Sequence, residues 1–102
     1  MSFPDNVLDQ VARCFSVLGE PTRLKILRTV CHGERCVADI VLEVGSTQTN
    51  TSRHLGVMHM AGILQRRREG TQVFYSAADP VYLELCRTMC SKFGDGNGLL
   101  QE

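Results

Sequence analysis

The sequence predicts a mainly α-helical domain carrying a β-hairpin, and three observations predict it. Apolar residues recur at helical spacing in the segments 7–18, 24–30, 37–44 and 82–93. Gly19, Gly33 and Gly45 punctuate those segments, and Pro21 and Pro80 stand where helices start. Between them the period changes from helical to two: Val73 and Tyr75 alternate with Gln72, Phe74 and Ser76.

The elements follow in order. Pro4 and Asp5 open a first helix, and Val7, Val11, Phe15 and Leu18 make its apolar stripe, with Cys14 beside it. Gly19 stops it. Pro21 suits the first turn of a second helix whose buried side is Leu24, Ile26, Leu27 and Val30, and Gly33 ends it after Cys31 and His32. A short third helix runs from about Val37 to Val44, with Val37, Ile40, Val41 and Val44 facing in. Gly45 then turns the chain into a helix over Ser46–Met60. Two short helices joined by a glycine-containing turn form a helix-turn-helix pattern.

The helix over Ser46–Met60 is the stretch the rest serves. Ser46 is a suitable N-cap. Gln48, Thr49, Asn50, Ser52 and Arg53 give its first half short hydrogen-bonding side chains, while Leu55 and Met58 anchor its second half. Gln, Asn and Arg suit base edges; Ser and Thr suit phosphates. The competing reading is a solvated helix end. After Gly62, Ile63–Arg68 and Gln72–Ala77 read as two extended segments around Glu69-Gly70-Thr71, a hairpin or wing carrying Arg66, Arg67 and Arg68. Asp79-Pro80 begins a last helix. Tyr82, Cys86, Met89, Cys90 and Phe93 line one face of it, an apolar face that reads as a homodimer seam shared with the first helix. Residues 1–93 are expected to form the single domain, and 94–102 a flexible tail.

A chain of 102 residues suffices for one domain with a modest core. The apolar runs are too short to span a membrane, and the N-terminus lacks the pattern of a signal peptide. The expected compartment is the cytoplasm. Formal net charge is zero, but its distribution is uneven. Residues 46–75 hold Arg53, Arg66, Arg67 and Arg68 against Glu69 alone, and the flanking segments are net acidic. A local basic stripe on a neutral protein fits double-stranded DNA as the partner.

The order and spacing of several pieces resemble the ArsR/SmtB family: Leu18-Gly-Glu-Pro-Thr-Arg-Leu-Lys-Ile-Leu27, Gly33-Glu-Arg-Cys-Val-Ala-Asp-Ile40, Thr51-Ser-Arg-His-Leu55, Ala61-Gly-Ile-Leu64 and Arg68-Glu-Gly-Thr-Gln-Val-Phe-Tyr75. The likeness covers about residues 10–90. It implies a winged helix-turn-helix fold and a homodimeric transcriptional repressor that leaves its operator when a metal or metalloid binds or thiols react. It also implies that the Ser46–Met60 helix enters the major groove and that the Arg66–Gln72 hairpin reaches the backbone or minor groove. The DNA-binding residues are therefore expected to be Gln48, Thr49, Asn50, Ser52, Arg53, Arg66, Arg67, Arg68 and Gln72.

The chain departs from the family in its effector residues. The arsenic-sensing pattern Glu-Leu-Cys-Val-Cys-Asp-Leu falls on Glu34–Ile40, where Cys36 keeps one thiol and Ala38 replaces the other. The zinc pattern on the last helix meets Asp79, Val81, Lys92 and Asp95, so both histidines are missing. The cysteine pair of the sulfide- and oxidant-sensing members falls on Arg28 and Gly94. Five cysteines remain as candidate metal or thiol sensors: Cys14, Cys31, Cys36, Cys86 and Cys90. Cys86 and Cys90, one turn apart, could join Cys14 in a trigonal sulfur site for arsenic(III), antimony(III) or another thiophilic ion. Cys31 and Cys90 could instead pair oxidatively if the second and last helices meet antiparallel. The bland alternative is that the cysteines are small core or seam residues. No other cofactor is expected. A thiol-dependent enzyme is the alternative of a different class, but the chain has no Cys-X-X-Cys, no phosphate-binding glycine loop and no Gly-X-Ser-X-Gly. A winged helix that binds protein is a further alternative, against which the arginine cluster argues.

Overall fold

The computed structural model describes residues 2–94. The order is α1 (Asp5–Leu18), α2 (Pro21–Thr29), β1 (Arg35–Cys36), α3 (Val37–Val44), α4 (Gln48–Met60), β2 (Leu64–Glu69), β3 (Gln72–Ala77) and α5 (Pro80–Phe93). This is the winged helix-turn-helix arrangement that the sequence predicts. The wing has one strand more than expected. β1 pairs with β3, so the sheet is three-stranded and antiparallel, in the order β1-β3-β2. A two-residue strand carries no periodicity of its own, and only its partner defines it.

The core is Leu18, Ile26, Leu27, Val30, Ile40, Val44, Leu55, Met58, Ile63, Leu64 and Tyr75. It joins α2, α3 and α4 to the base of the hairpin. Local chemistry fixes the joints. Gly45 takes a left-handed φ of 75°, and its N–H bonds the Val41 carbonyl, which ends α3. At the hairpin tip Glu69 pairs with Gln72, leaving Gly70-Thr71 as the loop, with Gly70 at φ 62°. A single positive φ at the first loop position fits a type II′ turn, whose twist matches the strands. Asp79 caps α5 by accepting from the Val81 N–H at 2.9 Å, with Pro80 next in line.

Several expectations need correction. Ser46 is not the N-cap of α4: Thr47 is, its hydroxyl accepting from the Asn50 N–H at 3.0 Å, so the helix begins at Gln48. α2 ends at Thr29, before Cys31 and His32. Leu24, expected on its buried side, is 43% exposed. On α5, Tyr82 and Cys86 pack partly into the core, while Met89, Cys90 and Phe93 are exposed. The expected dimer face is thus split, and at the start of α5 the exposed Val81 lines a groove with the exposed Val7, Val11 and Phe15 of α1. The tail expected at 94–102 lies, beyond Gly94, outside the described residues.

Candidate nucleic-acid interface

α4 has two strips at identical spacing. Thr51, His54, Leu55 and Met58 lie at i, i+3, i+4 and i+7 and are buried. Thr49, Ser52, Arg53 and Gly56 repeat that spacing two residues out of phase, so they occupy the opposite side. Thr49, Ser52 and Arg53 are exposed, and a Cβ built on Gly56 would meet no atom within 4 Å. The outward strip therefore presents two hydroxyls, a guanidinium and then bare backbone. Gln48 is exposed at the edge of this strip and Asn50 is half-buried.

The polar residues of that end are held in place. Asn50 Nδ2 donates to Ser46 Oγ at 2.8 Å, and Arg53 Nη2 donates to Asn50 Oδ1 at 2.8 Å. This orders Arg53 before any ligand arrives. No acidic residue lies in the first turn, so nothing cancels the positive end of the helix dipole.

Beneath the strip sits a node that sequence reasoning missed. Arg23 of α2 donates from Nε to His54 Nδ1 at 3.0 Å and from Nη1 to the Val17 carbonyl at 3.1 Å. Burial, with Arg53 beside it, pushes the His54 pKa below its ordinary value, against the opposing pull of Glu20. With Nδ1 accepting, the neutral ring carries its proton on Nε2. Arg53 Nη2 lies 3.3 Å from that nitrogen and touches the ring without donating to it. The node ties the end of α1 to α4 through α2. Arg23 and His54 are 31 residues apart, and no local pattern links them.

The hairpin arginines differ in their partners. Arg66 pairs with Tyr75 and Arg68 with Val73 across the strands, so both project from one sheet face. Both are exposed. Arg67 pairs with Phe74 and projects from the other face. It donates from Nε and Nη2 to the two Glu34 carboxylate oxygens, at 3.0 and 2.7 Å, and from Nη1 to Glu69 at 2.6 Å. Its guanidinium lies 4.6 Å from the Phe74 ring centroid. Gln72 is exposed at the wing tip.

The cysteines are dispersed. Cys14 lines an apolar groove of about 280 Å³ between α1 and α5, with Val7, Val11, Phe15, Tyr82 and Leu85 among its neighbours. Cys31 lines a smaller cleft against Pro80 and Leu83, at the start of α5. Cys90 lies seven residues beyond Leu83, roughly 10 Å along the helix, so a single chain does not bring Cys31 and Cys90 together. Cys36 ends β1, opposite Phe74. Burial, and then the nearby Cys90, push the Cys86 thiol up. Among the described residues no group of three His, Cys, Asp or Glu side chains could hold a metal ion. Cys14, Cys86 and Cys90 therefore do not form a three-sulfur site within one protomer. No described helix is long and apolar enough to cross a membrane.

Residues 20–66 match the model of the bacterial regulatory protein, arsR family. Over 80 residues the chain is 36% identical to an uncharacterised HTH-type transcriptional regulator of Methanocaldococcus jannaschii, covering 78% of this chain and 90% of that protein. The chain belongs to the ArsR family. Another member of similar sequence is a "probable mercury resistance operon repressor" of Streptomyces lividans, 39% identical over 77 residues; the match covers 76% of this chain and 62% of the Streptomyces protein. Among solved structures, a homodimeric winged helix-turn-helix DNA-binding domain from Mycobacterium bovis superposes with a TM-score of 0.77 at 33% identity, covering 85% of this chain and 81% of that one. The transcriptional repressor BigR of Xylella fastidiosa superposes with a TM-score of 0.81 at 28% identity, covering 88% of this chain and 92% of that one. The ArsR family and these relatives are transcriptional regulators, not enzymes.

Proposed function

We propose that this ArsR-family chain is a homodimeric transcriptional repressor that binds a two-fold symmetric operator in double-stranded DNA and leaves it when its cysteines meet a thiophilic effector. The observation that carries the DNA reading is the outward strip of α4. Thr49, Ser52 and Arg53 stand clear of the core, with Arg53 already ordered by Asn50. Gln48, Asn50 and Arg53 read base edges, and Thr49 and Ser52 take phosphates or bases. Arg66 and Arg68 supply the sequence-independent phosphate contacts, and Gln72 lies at the tip of the same wing.

Dimerisation is supported by the exposed apolar surface of α1 and α5. Val7, Val11, Phe15 and Val81 are between 38% and 53% exposed in the single chain, around the groove that Cys14 lines. A second copy covering this groove sets the distance between two reading helices, and a palindromic site with half-site centres about one helical turn apart follows.

The effector reading rests on Cys86 and Cys90. They are one turn apart on the helix that borders the dimer groove, so a change there alters how the two reading heads are held. Arsenic(III) and antimony(III) prefer three sulfurs, and one protomer does not fit such a site. The partner protomer is then the source of further donors. A redox or reactive-sulfur signal at the same thiols is the second reading, favoured by the exposure of Cys90. The test is release of reduced protein from a bound duplex on adding arsenite, antimonite, cadmium, zinc, polysulfide and peroxide separately, with mass spectrometry of the cysteines. Cys90→Ser is expected to bind the duplex normally and to ignore the effector. Full release of Cys90→Ser by the same agent would contradict this assignment.

A further inference from the structure

Three consecutive arginines on β2 invite the assumption that all three bind phosphate. Their surroundings separate them. The pleat sends Arg66 and Arg68 to one face of the sheet and Arg67 to the other. Arg67, though exposed, has three partners. Glu34 takes two of its nitrogens in a parallel fork, Glu69 takes the third, and Phe74 lies against the guanidinium plane. The paired carboxylates hold the Arg67 pKa above its ordinary value, and Arg67 holds the Glu34 carboxyl below its own.

An isolated ion pair this open to water contributes little. This one differs in geometry: it is bidentate, it is shared by two carboxylates, and a ring backs it. It also joins separate parts of the chain. Glu34 immediately precedes β1, 33 residues from Arg67, while Glu69 borders the wing tip. With two carboxylates beside one guanidinium, the cluster carries one net negative charge, a poor seat for a phosphate. Arg66 and Arg68 have no carboxylate partner among the described residues.

We propose that Arg67 is a positioning residue, clamped between Glu34 and Glu69 so that the wing presents Arg66 and Arg68, and not Arg67 itself, to the DNA backbone. The inference rests on the DNA-binding reading above and deepens it by dividing the arginine run into two roles. Glu34, an acidic residue outside the basic stripe, becomes part of the DNA-binding apparatus although it touches no DNA.

A charge exchange tests this. Arg67→Glu breaks the clamp; Arg67→Glu combined with Glu34→Arg rebuilds it with the same composition, one guanidinium between two carboxylates. It moves the cation off position 67 without changing net charge relative to the parent. Affinity for duplex DNA is measured across a salt series for the parent, the single variant, the exchange, and Arg66→Ala. The salt slope counts phosphate contacts, falling by about 0.9 for each one lost. Arg67→Glu is expected to bind weakly with a reduced slope, because a loosened wing misplaces Arg66 and Arg68. The exchange is expected to recover the affinity and slope of the parent. Arg66→Ala is expected to lose slope with the clamp intact. An exchange as weak as Arg67→Glu would show that the cation is needed at position 67 and would overturn the clamp. A parent that binds no duplex at any salt would overturn the DNA reading as well, and the parent curve alone would reveal it.

Discussion

Thr51→Val is expected to stabilise the protein and leave DNA binding unchanged. Thr51 is fully buried in the first turn of α4, at 0% exposure, and its hydroxyl has no hydrogen-bond partner. A buried hydroxyl left unsatisfied costs about 1–3 kcal/mol. Valine keeps the branched shape, replaces the hydroxyl with a methyl, and has nearly the same helix propensity as threonine. The expected gain is therefore about 1 kcal/mol, which for a domain of this size raises Tm by about 4–8 °C. Thr51→Ser is the control: it keeps the orphan hydroxyl and loses a buried methyl, at a cost of about 0.8 kcal/mol or more. Urea unfolding at one fixed protein concentration is the assay, because the stability of a dimer depends on concentration. An unchanged m-value confirms that the midpoint reports stability. Thr51 lies on the strip opposite Thr49, Ser52 and Arg53, so duplex affinity is expected to match the parent. A valine variant less stable than the parent would refute the reasoning, since the hydroxyl would then have a partner, such as a bridging water.

Gly56→Ala is expected to raise the stability of the free protein by about 1 kcal/mol, since glycine is a poor helix interior residue and open space awaits the methyl. It is also expected to weaken duplex binding, which anisotropy would read, because that methyl stands on the outward strip. The His54 pKa is lowered in the fold, so its contribution is complete above its ordinary value of about 6.5 and is lost as pH falls through the depressed one. Urea midpoints compared at pH 7.5 and 5 are expected to fall more in the parent than in His54→Gln; equal falls would remove His54 from the acid sensitivity. Val11→Asp puts a charge on the exposed α1 stripe beside the Cys14 groove and is expected to give a folded monomer, checked by sedimentation and far-UV circular dichroism. A stable dimer in that variant would place the seam elsewhere.

Much of this arrangement was legible in local chemistry. Gly45, Gly70 and the Asp79-Pro80 pair each mark a joint whose backbone demands that residue, so α3, the hairpin and α5 could be placed from them. The α4 cap was missed by one residue because Ser46 and Thr47 are both good caps, and only the bond to Asn50 separates them. Leu24 has core spacing, but α2 buries a narrower side than its apolar residues would allow. What could not be read is what depends on distant parts of the chain. β1 exists through β3, the Arg23–His54 node joins two helices, and the Glu34–Arg67 fork closes over the wing. Before folding, Arg67 is indistinguishable from Arg66 and Arg68. The cysteines show the same limit: that Cys31 meets α5 at its beginning, beside Pro80 and Leu83 and away from Cys90, depends on how α2 and α5 pack and has no local signal.

The central claim is that α4 reads sequence through its outward strip while the wing supplies charge. It is tested most directly by selecting duplexes from a randomised pool with reduced parent protein. The selected duplex and a scrambled one are then titrated with the parent, with Arg53→Ala, and with Arg66→Ala combined with Arg68→Ala. The expected selection is a palindrome with half-site centres about 10–10.5 base pairs apart. Arg53→Ala is expected to lose about 1–3 kcal/mol of preference for it. The double wing variant is expected to weaken both duplexes alike, with a shallower salt dependence. Failure to enrich any sequence, or variants that bind both duplexes as the parent does, would contradict the account.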